Sequence, residues 1–231
     1  MSNTFIKLML AFSLFLTGCM QSTEEPMDNE QTAPAEEEVE EQPTTEPTLD
    51  EEVVEEAKSE EPEKIQLTVE ETADQVVQLL KDKNMKKVAT FVHPEHGVRF
   101  SPYGYIDVDQ DLVFSKEEVA GLWENEQVYH WGYFDGKGDP IEKTFADYYD
   151  RFVYDADYVH AEEKAVDERL GHGNTLDNTK EIYPDGTVVE YHFSGFEEQY
   201  EGMDWRSLRL VLIEENDKWY LVSVIHDEWT I

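Results

Sequence analysis

The chain has 231 residues, 39% hydrophobic and 12% aromatic, enough to build a core for one ordinary domain or two small ones. Fifty-four Asp and Glu stand against 18 Lys and Arg, a formal charge of -36 that repels other polyanions and excludes DNA and RNA as partners. The one cysteine, Cys19, rules out an internal disulfide and any cysteine-based zinc site.

At the N-terminus Lys7 precedes the apolar run Leu8–Leu16, and no acidic residue occurs before Glu24. The run is too short to span a bilayer, which takes about 20 apolar residues, and has the length of a signal-peptide core. Leu16-Thr17-Gly18-Cys19 follows and resembles the bacterial lipobox: a branched apolar residue, two small ones, then cysteine. That resemblance implies a diacylglycerol on the Cys19 thiol and cleavage after Gly18. Residues 1–18 are then a lipoprotein signal peptide, and the mature chain is extracytoplasmic, bound to the outer face of the cell membrane by its lipid. Two or more acyl chains give stable anchoring where one gives only reversible binding.

Residues 19–65 are expected to form an acidic, disordered tether. From Met20 to Ile65 eighteen acidic residues face Lys58 and Lys64, proline recurs at 26, 34, 43, 47 and 62, and no aromatic occurs. Such a stretch cannot bury enough apolar surface to offset its ordering entropy. As a flexible coil it would span on the order of 40 Å.

A globular domain is expected over 66–231. Thr68 with Glu71 reads as a capping box ahead of a helical stripe of Ala73, Val76, Val77 and Leu80. A second short helix carries Met85, Val88, Ala89 and Val92 and stops at His93-Pro94. Ser115 with Glu118 opens a third helix through Val119, Leu122 and Trp123, and Thr144 caps a fourth, Phe145 to Phe152. Short extended pieces are expected at 97–100, 112–114 and 127–133. The β-branched and aromatic run Thr187–Phe193 reads as a strand, and Ser207–Ile213 and Trp219–Ile225 as two more joined by the polar loop 214–218. Helices first and an antiparallel meander last indicate an α+β domain. This order is similar to the NTF2-like (cystatin-related) cone, which implies N-terminal helices packed on a curved antiparallel sheet around a pocket. The segments Gly97–Tyr103 and Gly202–Trp205 also resemble those of bacterial lipoproteins to which no activity is assigned.

For chemistry, Asp107, Asp109 and Asp111 alternate, and Glu118 stands twelfth from Asp107, offering hard oxygens as an EF-hand loop offers them to calcium. Leu112 replaces the glycine of the sharp turn, and Glu118 already serves a capping box, so a solvated acidic loop accounts for the pattern. The turn Asp135–Pro140 and the pair His93 and His96 have equally ordinary explanations in a loop and a helix end. No Gly-x-Ser-x-Gly, Ser-x-x-Lys, His-Glu-x-x-His or phosphate-binding glycine loop is present. Glu190 and His192 alternate on one strand, and Arg209 and His226 on the last two strands can approach that face; these four are the expected lining of any polar pocket. Exposed rings among Tyr129, Trp131, Tyr133, Phe134, Trp205 and Trp229 would stack on cell-wall sugars, although tryptophans mostly pack inside. The reading is an envelope lipoprotein whose domain binds a ligand or partner, with no cofactor. The alternatives are a pocket enzyme for a small or glycan substrate and a calcium-responsive module.

Overall fold

The structure, a computed structural model, describes residues 66–231; the expected signal peptide, Cys19 and the expected tether lie outside the described residues. Thr68 caps helix α1 (Val69–Lys81) through the expected reciprocal box, its side chain accepting from Glu71 N while Glu71 accepts from Thr68 N. The apolar stripe is buried, with Ala73, Val76, Val77 and Leu80 facing the sheet. Helix α2 (Met85–Val88) is one turn, and Ser115 opens α3 (Lys116–Gly121) with the second box. Thr144 caps α4 (Phe145–Phe152) and accepts from Asp147 N. Among the described residues no helix is long and apolar enough to cross a membrane.

The curved main sheet has six strands: β1 (Val98–Ser101), β2 (Leu112–Phe114), β5 (Glu163–Val166), β6 (Thr187–Phe193), β7 (Arg206–Glu215) and β8 (Lys218–Glu228). Their spatial order is β2-β1-β8-β7-β6-β5, antiparallel throughout except where β1 runs parallel to β8. Strands β3 (Tyr129–Tyr133) and β4 (Pro140–Lys143) form a separate hairpin. The last two strands reach further than expected, to Glu215 and from Lys218. Asn216 and Asp217 alone close the turn, both at positive φ as a primed two-residue hairpin requires.

The helices are not all N-terminal. The fourth follows the β3–β4 hairpin, and a one-turn helix, α5 (Thr179–Ile182), comes after β5. The space between the helical layer and the sheet is filled: Phe100, Trp131, Phe145, Tyr148, Tyr149 and Phe152 are all buried there, with Trp131 stacked on Tyr148 at 3.8 Å. Burying each of these rings contributes on the order of 2–3 kcal/mol. The other sheet face carries a smaller cluster of Ile106, Val211, Val222 and Ile225 beneath Ile182 and Tyr183.

Candidate functional site

Cross-strand partners share a face of a sheet, so register decides which polar residues meet. Glu190 stands opposite Arg209, and His192 opposite Ser207. Arg209 stands opposite Ile225 and Ser207 opposite Asp227, which puts Asp227 with Arg209 and sends His226 to the helical face beside Leu208. Three of the four residues expected together therefore converge. Asp227, unmarked in the sequence analysis, takes the place expected for His226.

The convergence is a closed ion network. Arg209 Nε donates to Glu190 Oε2 at 3.1 Å, and Arg209 Nη2 donates to Asp227 Oδ2, which also accepts from Arg169 Nη2 at 3.0 Å. Glu190 also accepts from Ser207 Oγ and from the backbone N–H groups of Leu170 (3.1 Å) and Gly171 (2.8 Å). Burial pushes the Asp227 carboxyl up while the guanidinium groups of Arg209 and Arg169 pull against it. His192 Nδ1 lies 2.9 Å from Ser207 Oγ, and burial lowers the pKa of that imidazole. None of these residues lines a cleft described below.

What the network holds is the strap 168–178, which crosses the sheet. Gly171 passes so close to Trp205 and Ser207 that a Cβ would collide with both. Further along, Thr175 Oγ1 meets Thr230 Oγ1 at 2.7 Å. The Asn178 amide clasps the preceding loop, accepting from Ile106 N at 2.8 Å and donating to Ile106 O at 2.9 Å.

On the helical face His226 joins a second cluster. Its Nε2 lies 3.0 Å from Asp155 Oδ2 and its Nδ1 3.2 Å from Pro102 O. Asp155 also accepts from Tyr158 OH at 2.7 Å and Arg206 Nε at 3.0 Å. Burial alone would raise the Asp155 carboxyl, but His226, Tyr158 and Arg206 outweigh it and hold it down at about 2. A carboxyl depressed in the fold stabilises it above the unfolded value of 3.8 and loses that contribution as pH falls through about 2. Asp155→Asn should thus cost about 2 kcal/mol in urea denaturation at pH 7. The deficit should shrink toward zero between pH 4 and pH 2; a pH-independent deficit would show that the charge is not the cause.

Three of the four acids expected for calcium accept hydrogen bonds from the chain itself. Asp107 Oδ1 accepts from Asp109 N at 3.0 Å within an exposed turn, and Glu118 Oε2 accepts from Ser115 N at 2.7 Å in its capping box. Asp111 is drawn inward, its Oδ2 accepting from Ser101 Oγ and from Asp107 N at 3.0 Å. Among the described residues no group of three or more His, Cys, Asp or Glu is placed to hold a metal ion. His93 is likewise occupied, its Nδ1 accepting from the N–H groups of Glu95 and His96 at 3.2 Å.

Asp111 instead lies in the wall of a cleft of about 260 Å³, with Tyr103, Tyr105, Asp107, Gln110, Tyr133, Asp135, Thr175 and Thr230 also in its lining. Tyr103, Asp135 and Thr230 also border an adjoining cleft of about 340 Å³ that contains Phe134, Lys137, Arg151 and Trp229. Local structure explains the walls. Gly132, at φ 103°, sits where the β3–β4 register shifts, and the bulge turns Trp131 into the core and Tyr133 outward. Asp135 N donates to Tyr103 OH at 3.1 Å and Asp135 Oδ2 accepts from Ile231 N at 2.9 Å, tying hairpin, loop and final residues together. Tyr105, Tyr133 and Trp229 remain exposed, whereas Trp131 and Trp205 are buried. Burial pushes the Asp111 carboxyl up to about 7, with hydrogen bonds from Ser101 and Asp107 opposing it. Buried carboxyl, exposed rings and concavity coincide here, which makes this the candidate site. Larger clefts beside Phe91 and Trp219 and beside Tyr158 and Tyr191 have no buried carboxyl in their walls.

No family model matches the chain, and no curated protein does. Solved structures similar to it include a protein assigned to the calcium/calmodulin dependent protein kinase II association domains, from Xanthomonas campestris. That protein is 16% identical over 69% of this chain and 83% of its own, with a TM-score of 0.29. Another is a chain named Rd1NTF2_05 carrying five substitutions, 11% identical over 69% of this chain and 99% of its own, also with a TM-score of 0.29. No residue role is carried over from either.

Proposed function

We propose that the chain is an envelope-facing lipoprotein, held to the membrane through a lipid on Cys19, whose α+β domain binds a cell-wall glycan in the Asp111 cleft without turning it over. The carrying observation is that Tyr105 and Tyr133 stand exposed at the cleft beside the buried Asp111. Tyrosine rings present apolar faces to the C–H face of a sugar while their hydroxyls and the nearby carboxylates take its polar groups. Residues 1–18 serve as the export signal and 19–65 as the spacer that lets the domain reach the wall. The helical layer against a curved sheet supports kinship with the NTF2-like cone, here with the cone's interior filled by aromatic side chains.

The enzyme alternative rested on Glu190, His192, Arg209 and His226 meeting in a concave site. The first three are buried on one face of the sheet, and His226 lies on the other. The test is co-sedimentation of the full chain with purified cell-wall sacculi. The full chain should pellet with the sacculi, and the Tyr105→Ala/Tyr133→Ala double variant should bind about tenfold more weakly while melting at the parent temperature, as loss of two stacking rings at about 0.5–1.5 kcal/mol each implies. Equal pelleting of parent and variant, or release of soluble sugar by the parent, would overturn the reading.

A further inference from the structure

We propose that the inner cleft recognises a protonated amine on its ligand, seated on Asp111 Oδ1 and walled by Tyr103, Tyr105 and Tyr133; this rests on the reading of that cleft as the binding site. Three aspartates, Asp107, Asp111 and Asp135, lie in its lining, and no lysine or arginine does. An anionic ligand is therefore repelled. Asp111 carries the decisive asymmetry. The residue is 8% exposed, and its Oδ2 is satisfied by Ser101 and Asp107 N, but Oδ1 has no hydrogen-bond partner among the described residues. Nor is Oδ1 sealed off among the buried unpartnered atoms; it remains accessible, on a residue that lines the cleft.

The Arg99 guanidinium acts on this charge only through space and makes no hydrogen bond to the carboxylate. Arg99 Nη1 donates at 3.0 Å to the backbone carbonyl of Asp111, not to its carboxylate. The buried ion network shows the contrast, since Glu190 and Asp227 there each have a cation in hydrogen-bond contact. A buried carboxylate left with one open oxygen and no cation in hydrogen-bond contact is completed by an N–H donor carrying positive charge. Tyrosine faces favour the same partner through their ring quadrupoles. The carboxyl's titration near 7 adds a linkage: a cation binds the ionised form, so affinity rises with pH across neutrality.

The test uses the isotope-labelled full chain in about 0.15 M salt, where unselective attraction to so acidic a surface is screened. Ethanolamine should shift the amide signals of Asp111, Gly132 and Tyr133 saturably, and the neutral isostere ethylene glycol should not. The ethanolamine Kd should loosen about tenfold from pH 8 to pH 6, following the ionised fraction of a carboxyl at about 7. Asp111→Asn should weaken binding tenfold or more, since a charge-assisted hydrogen bond is lost. That variant should melt at or above the parent temperature at pH 8, because the amide keeps the bonds to Ser101 and Asp107 and removes a buried charge. In parallel, sacculi are compared before and after N-acetylation of their free amines. Pelleting that survives acetylation, or ethylene glycol binding as well as ethanolamine, overturns the amine while leaving the glycan reading intact. Failure to pellet with native sacculi, with ethanolamine still bound in the cleft, removes the glycan and keeps the amine. Calcium producing the same shifts and displacing ethanolamine would replace the amine with a metal ion.

Discussion

Arg209→Ala is expected to destabilise the domain by about 3–5 kcal/mol in urea denaturation at pH 7, because truncating one partner of a buried ion network leaves charge uncompensated. Glu190 and Asp227 are both fully buried, and Arg209 bridges them. Without it Asp227 keeps Arg169, whereas Glu190 keeps only neutral donors: Ser207 and the N–H groups of Leu170 and Gly171. The sign with pH follows. Burial already raises the Asp227 carboxyl and Arg209 pulls against it, so without Arg209 the deficit is largest at neutral pH and diminishes on acidification as Asp227 takes up a proton. Replacing the Glu190–Arg209 pair, with Glu190→Gln and Arg209→Met together, should cost less than Arg209→Ala alone, since Asp227 then keeps Arg169 and neither replaced residue leaves its partner's charge unpaired. A loss below about 1 kcal/mol for Arg209→Ala would mean that water reaches the network and screens it.

The same residues show where reading the sequence stops. The caps at Thr68, Ser115 and Thr144 were legible because a cap is a local bond between residues three apart. The central strands were legible from β-branched and aromatic runs. Strand β5 was not, for Glu163–Val166 is an edge strand with no apolar alternation, and α5 is a single polar turn. The error over His226 has one physical cause. A hairpin closed at Asn216-Asp217 with uninterrupted register would put His226 on the face of Arg209. The register instead shifts between Val211 and Leu212, where β8 contributes the extra residue Val222, and every later residue of β8 changes face. One inserted residue reverses parity, and no local signal in the sequence marks it.

The cleft was hidden for a different reason. Its walls come from the loop around Tyr103–Asp111, the hairpin around Tyr133 and Asp135, and the segment at Thr230, which share no spacing. The alternating aspartates read as a solvated loop, and Asp107 and Asp109 fit that description. Asp111 departs from it because β1 presents Ser101 to its carboxylate. A sequence shows that three acids alternate; only the packed neighbours decide which one loses its water.

Trp131→Ala is expected to cost about 3–5 kcal/mol, the usual range for truncating a fully buried large ring, and to disable the cleft with it. The β3–β4 hairpin makes no strand pairing with the main sheet, so side chains hold it in place. Trp131 is the largest of these, stacked on Tyr148, 5.8 Å from the Phe114 ring centre and 6.4 Å from that of Phe100. Its Nε1 donates to Lys143 O at 3.0 Å, so the same side chain also fastens β3 to β4. Tyr133 and Asp135 ride on this hairpin. Its release should therefore speed amide exchange across 129–143 more than in β6–β8 and abolish cleft binding even where the main sheet persists. Trp131→Phe keeps a ring against Tyr148 and loses the indole donor, so about 1–2 kcal/mol is expected, with binding retained. If Trp131→Ala left exchange in the hairpin unchanged, the hairpin would have to be held by Ile141 and its neighbours, and the cleft would not depend on the aromatic core beneath it.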